Sequence, residues 1–273
     1  ALTLILLLDL GLVVMSFLLW VRMLFGARPR VWIVAGLACL WMNYFPLLEA
    51  IAGREVELLE LWLITGAVWA LRKRREVLAG AAVGVAAMTK FLPVVLIPYL
   101  WIKRFRTAFW AAVATMLLIA GLAQWGLGFQ HSVTFNLLAQ EASGDILPSS
   151  YPNIAISNVL YKMFTSFTPQ EPPPAPLYPD VLRPIGIVLH AVIVIACGWF
   201  LLQHRRSSLL EVETALLALV MVLAAPHAKT YYLVFALTAL SIGFAACLRQ
   251  PHVLSPLLKI AWGVAVVLSG FLV

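Results

Sequence analysis

Lys90 is the side chain whose position most needs a chemical reason. It stands in MTKFLP, inside VLAGAAVGVAAMTKFLPVVLIPYLWI, residues 77–102, a run with no other charge. An ammonium at bilayer depth costs about 2.5–3.5 kcal/mol on insertion scales. Two readings meet that cost. The flexible stem can snorkel the charge to nearby head groups, or the ammonium faces a water-filled cavity and an anionic ligand. A compact ammonium beside a helix break suits a phosphate.

Carboxylates form the second constellation. Glu55, Glu57 and Glu60 open an apolar stretch within REVELLE. An acidic residue in a first helical turn is favoured by the helix dipole, which accounts for one of them. Glu57 and Glu60, three apart, share a helix face, and Glu57 is a candidate for binding a hydroxyl or accepting its proton. The third constellation is PHAKTYY, with His227, Lys229, Tyr231 and Tyr232. It reads either as an interfacial turn with an aromatic belt or as a second basic wall of the same site. His190 and His204 carry less weight, and Asp9 lies in an apolar stretch with no assignable partner. No Gly-rich phosphate loop, HExxH, CxxC or GxSxG pattern occurs, so nucleotide, zinc-hydrolase and serine-hydrolase readings find no support. Cys39, Cys197 and Cys247 sit in apolar segments and suggest neither a disulfide framework nor a metal site.

The elements that must position these groups follow from hydropathy and charge. Hydrophobic residues make up 63% of the chain and charged residues 11%, the composition of an all-α polytopic membrane protein rather than a soluble domain. Candidate spans are 2–21, 31–48, 56–71, 107–127, 184–203, 208–225, 231–247 and 255–273. Residues 1–21 lack a signal-peptide cleavage site. Most of the 19 lysines and arginines fall in the intervening turns: Arg22, Arg28 and Arg30; Arg72 to Arg75; Lys103, Arg104 and Arg106; Arg205 and Arg206; Arg249. The positive-inside rule places these turns in the cytoplasm. The net charge of +7 is thereby explained without a nucleic-acid partner.

Residues 77–102 have basic clusters at both ends and so cannot cross once. The sequence predicts a membrane hairpin of two short helices hinged near Thr89–Pro93, because proline disfavours an unbroken helix. Lys90 then sits at its tip, on the non-cytoplasmic side. Residues 128–183 form an outer loop too long for a plain connector. Its first part, YPNIAISNVLYKMF, has the apolar spacing of an interfacial helix at Ile156, Val159, Leu160, Met163 and Phe164. Its second part, TPQEPPPAPLYPD, is proline-rich and extended. The whole chain, 1–273, reads as one transmembrane domain. Because it starts at Ala1 and ends in an apolar run, it is expected to be a fragment.

The block FPLLEAIAGREVELLELWLITGAVWALRKRREVLAGAAVGVAAMTKFLPVVLIPYLWIKRFRTA resembles glycosyltransferase family 87 of the GT-C superfamily. The shared features are the helix start, the basic turn, the lysine hairpin and the basic exit. SSYPNIAISNVLYKMF resembles the family's asparagine-containing outer-loop helix, and APHAKTYYLVFAL its S-P-x-S-x-x-H-Y-L-V turn. The resemblance spans roughly residues 40–245. It implies a GT-C-like helical bundle that transfers a hexose, often mannose, from a polyprenyl-phosphate sugar to a lipid-linked or glycan acceptor outside the cytoplasm, with inversion. Lys90 and Lys229 would then contact the donor phosphate, and Glu55, Glu57, Asn153, Asn158, His227 and Tyr231 the substrates. No cofactor or metal is implied beyond the donor itself. The chain departs from the family in having Glu55 and Glu57 where Gln and Asn are usual, and Tyr231 in place of a His. The superfamily's catalytic carboxylate normally lies in the first outer loop, so it is expected upstream of Ala1, with Glu57 and His227 as candidates within the chain. The same basic cavity would serve a transporter or flippase of a lipid-linked glycan. A ligase using a diphosphate donor fits less well, since the outer loop carries only Lys162 and Arg183.

Overall fold

The computed structural model describes residues 2–128, 182–205, 210–223 and 230–249, with residues 260, 262–264 and 266. Among these there is no strand. In chain order the helices are α1 (Leu2–Phe25), α2 (Val31–Met42), α3 (Phe45–Gly53), α4 (Glu57–Arg72), α5 (Glu76–Thr89), α6 (Leu96–Ile102), α7 (Arg106–Leu127), α8 (Leu182–Gln203), α9 (Leu210–Leu223) and α10 (Ala236–Arg249). Short 3-10 turns, Leu92–Val95 and Thr230–Phe235, lead into α6 and α10. Four helical stretches among the described residues are long and apolar enough to cross a membrane: Leu2–Phe25, Arg106–Gly126, Pro184–Gln203 and Tyr231–Arg249. The chain is an all-α polytopic membrane protein.

One expected span is two helices. Residues 31–48 break between α2 and α3, which meet at 62°. Pro46 enters at the start of α3, and Tyr44, the residue before the helix, is extended. Proline has no N–H to bond back into α2 and its ring clashes with the carbonyl four residues earlier, so one helix cannot run through. The Asn43 side-chain amide closes α2 by donating to the Cys39 carbonyl at 2.7 Å.

The hairpin at 77–102 is present, and its packing shows why. A Cβ on Gly80 would lie 2.0 Å from the Ala108 carbonyl oxygen, and one on Gly84 2.7 Å from that of Ala112. Small residues four apart on both helices let the backbones touch. The register advances the same way along both, so α5 and α7 run parallel. Consecutive parallel helices require the link between them to return, and the 3-10 turn with α6 is that return. Trp101 at its end packs against Phe109, with ring centroids 4.9 Å apart and the planes tilted by 59°. At the turning point Lys90 is extended, with φ −149° and ψ 143°, and Pro93 fixes the entry to the 3-10 turn.

Other contacts fix which helix ends lie together. The Trp20 indole donates to Thr65 Oγ1 at 3.1 Å and Arg72 to the Met23 carbonyl at 2.6 Å, so α1 and α4 run parallel. The Trp41 indole donates to Ser241 Oγ at 3.0 Å. Arg72 pairs with Glu211, Lys103 with Glu213, and Arg249 rests over the Phe25 ring. The basic turns therefore gather at one end of the bundle. The hairpin tip, α3 and the start of α4 lie at the other.

Candidate functional site

At the end opposite the basic turns, Lys90 pairs with Glu57. Glu57 and Glu60 both sit in the first turn of α4, and both are fully buried. The Lys90 side chain keeps 28% of its exposure and covers the Glu57 carboxylate. Thr89 donates to Glu60 Oε1 at 3.2 Å. The remaining oxygens, Glu57 Oε2 and Glu60 Oε2, are buried with no hydrogen-bond partner among the described residues. Buried carboxylate oxygens without donors are costly, so this cluster is arranged for something other than its own stability.

Aromatic rings close the other side. Lys90 Nζ lies 4.3 Å from the Tyr232 ring centroid and 5.5 Å from that of Tyr231. These rings attract the ammonium by cation–π interaction while leaving its remaining N–H donors usable. The Tyr44 hydroxyl donates to the Leu233 carbonyl at 2.7 Å and so ties the tyrosine turn to α3. Glu55, half-buried, caps the α3–α4 turn with its N–H on the Ala50 carbonyl at 3.0 Å.

Sequence reasoning named Lys90, Glu57 and Tyr231 separately, and the structure brings the three together. Thr89 was not singled out, although its place beside Lys90 and at the end of α5 was visible. Asp9 also gains a place. It is buried, with Oδ2 unpartnered among the described residues, on a stretch of α1 whose leucines are mostly exposed. It shares a helix face with Ser16 and Trp20, the face that meets α4. Counting from the Trp20–Thr65 contact, Asp9 stands about one helical turn beyond Glu57 along the bundle axis. Asn153, Asn158, His227 and Lys229 lie outside the described residues, as do the interfacial helix and the proline-rich stretch. Among the described residues no group of three or more His, Cys, Asp or Glu is placed to hold a metal ion.

A partly exposed lysine that covers a buried carboxylate can hold an oxyanion, and the carboxylate beneath can take a proton. The model of glycosyltransferase family 87 matches residues 1–226. No curated protein matches the chain, and no solved structure does.

Proposed function

Because the chain belongs to glycosyltransferase family 87 and is thus a membrane glycosyltransferase, we propose that it moves a hexose, mannose, from a polyprenyl-phosphate donor to a lipid-linked or glycan hydroxyl. The bond from the anomeric carbon to the phosphate oxygen breaks, and its electron pair leaves with the phosphate. The acceptor oxygen attacks from the opposite face, so the anomeric carbon inverts, and the hydroxyl proton passes to a carboxylate. Lys90 stabilises the charge growing on the leaving phosphate. An ammonium has three donors, so Lys90 can turn a donor toward phosphate while the Tyr231 and Tyr232 rings stay against the ammonium. Turning away uncovers Glu57, the base within the described site, with Asp9 the next carboxylate along the bundle. Lys229 and His227 would complete the phosphate wall, and Glu55, Asn153, Asn158 and Tyr231 would contact the sugar or acceptor. The chemistry needs no cofactor beyond the donor.

The reading places the protein in the inner (plasma) membrane with the reaction on the extracytoplasmic side. Its support is the separation of the basic turns from Lys90 at opposite ends of one bundle. The pairing of Lys90 with a buried Glu57 at a helix break carries the site.

Full-length protein in membranes, given a radiolabelled polyprenyl-phosphate mannose, tests it. Lys90→Ala should lower transfer roughly 10²–10³-fold with expression intact, and Lys90→Arg should recover part of the loss. Unchanged turnover in Lys90→Ala would remove the phosphate role. In a cysteine-free background, Phe91→Cys at the 77%-exposed tip residue should react with an impermeant thiol reagent from outside, and Lys73→Cys should not. The reverse pattern would overturn the sidedness.

A further inference from the structure

We propose that the cleft between the ends of α1, α2 and α10 binds the head-group phosphate of an anionic membrane lipid in the leaflet at the basic end. The cleft is about 320 Å³, within the size range of small-ligand sites. Arg28, Arg30 and Arg249 stand at its rim and are exposed. They come from two stretches of chain, the α1–α2 connection and the end of α10, brought together because Arg249 closes α10 beside the exit of α1. Phe25, Ile33 and Leu248 give the cleft an apolar floor, and Trp32, 54% exposed, forms one wall.

None of the three arginines is in an ion pair among the described residues. Two acidic groups at this end are engaged elsewhere, Glu211 with Arg72 and Glu213 with Lys103, and Glu76 opens α5 beside the Arg72–Arg75 turn rather than in the cleft lining. Arg249 is held over the Phe25 ring at 5.6 Å, which fixes its position without satisfying its donors. A guanidinium fork matches phosphate oxygens in pairs, and a partly exposed indole belongs at the level of head groups. Basic clefts between helix ends on this side of a membrane suit phosphorylated lipid heads. The inference is independent of sugar transfer at the opposite end.

The shared chemistry is a phosphate ester, which a lipid or a soluble metabolite could supply, and the arms of the test separate them. Full-length protein in detergent is titrated with phosphatidylglycerol or phosphatidylcholine, and bound lipid is counted by native mass spectrometry. Retention of phosphatidylglycerol over phosphatidylcholine is expected. The triple variant Arg28→Gln, Arg30→Gln, Arg249→Gln should weaken it roughly a hundredfold. Lys73→Gln, Arg74→Gln, Arg75→Gln, which removes the same charge from the same end, should change it far less. Equal losses in the two triple variants would mean diffuse attraction and overturn the site, as would equal retention of both lipids. Displacement of phosphatidylglycerol by millimolar glycerol phosphate would overturn the lipid assignment in favour of a soluble ester.

Discussion

Two lysine–glutamate pairs occupy opposite ends of this bundle, and they are built differently. Lys103 and Glu213, 2.8 Å apart, are nearly inaccessible, with 4% and 0% of their side chains exposed. Lys103 also donates to the His204 carbonyl at 2.9 Å, and the second Glu213 oxygen accepts from the Tyr99 hydroxyl at 3.0 Å. Both partners are satisfied, and the pair joins α6, the exit of α8 and α9. Lys90 and Glu57 share the charge types and little else. Lys90 is partly open, and one oxygen each of Glu57 and Glu60 has no donor among the described residues. A buried pair stabilises only when its remaining lone pairs and protons are also met. The first pair is therefore a strut. The second keeps unmet hydrogen-bonding capacity beneath a lysine that is itself partly open, as a binding site requires.

The sharpest way to break this contrast is at the carboxylates. Glu57→Gln keeps the shape and removes the proposed base, so transfer should fall 10²–10⁴-fold in a radiolabelled-donor assay normalised to folded protein. Glu213→Gln should leave turnover per folded molecule at the wild-type level. If both variants lose transfer equally, the two pairs are not functionally distinct. The next largest effect is on stability. Lys103→Met leaves Glu213 buried without its counter-charge, which costs about 3–5 kcal/mol, read as a lowered unfolding midpoint in detergent. Lys103→Met with normal stability and lost transfer would move the strut into the catalytic machinery.

The contrast also marks what the sequence could carry. Basic clusters on both flanks of 77–102 made the hairpin legible, because charge placement fixes which end of a segment faces which side. Depth was therefore readable for Lys90 and for Glu57, yet their pairing across 33 residues was not. Hydropathy gives height in a bilayer and says nothing of which face of which helix meets its neighbour. That angle is set by close packing at Gly80 and Gly84 against Ala108 and Ala112, four small residues whose spacing is visible only once the two helices are known to be partners. The break between α2 and α3 was hidden for another reason: residues 31–48 are apolar apart from Asn43, and a hydropathy window is blind to the missing N–H of Pro46. Glu213 passed unremarked inside a candidate span because Lys103 reads as loop charge until the fold brings it inward.

Smaller effects refine the open pair. Thr89→Val removes the 3.2 Å hydrogen bond to Glu60, worth about 1 kcal/mol. Transfer should fall roughly fivefold, with the unfolding midpoint nearly unchanged. A large drop in the midpoint with full turnover would make Thr89 part of a strut like Tyr99.

Tyr232 provides the finest test. Its ring lies 4.3 Å from the ammonium, and a cation–π contact at a partly exposed site is worth about 0.5–1 kcal/mol. The ring touches Lys90 before the phosphate arrives and, being fixed by the 3-10 turn, touches it equally as the bond breaks. Without the ring the lysine must be ordered when the donor binds, a cost incurred on binding and unchanged as the bond breaks, so it falls on KM and leaves the chemical step alone. Tyr232→Leu should therefore raise the donor KM roughly two- to fivefold and leave kcat nearly constant, and Tyr231→Leu, whose ring is 5.5 Å away, should do less. If kcat falls instead while KM holds, the ring acts only in the transition state. Lys90 would then be moving onto Tyr232 during the reaction, and the open pair would be an intermediate position of the lysine rather than its seat.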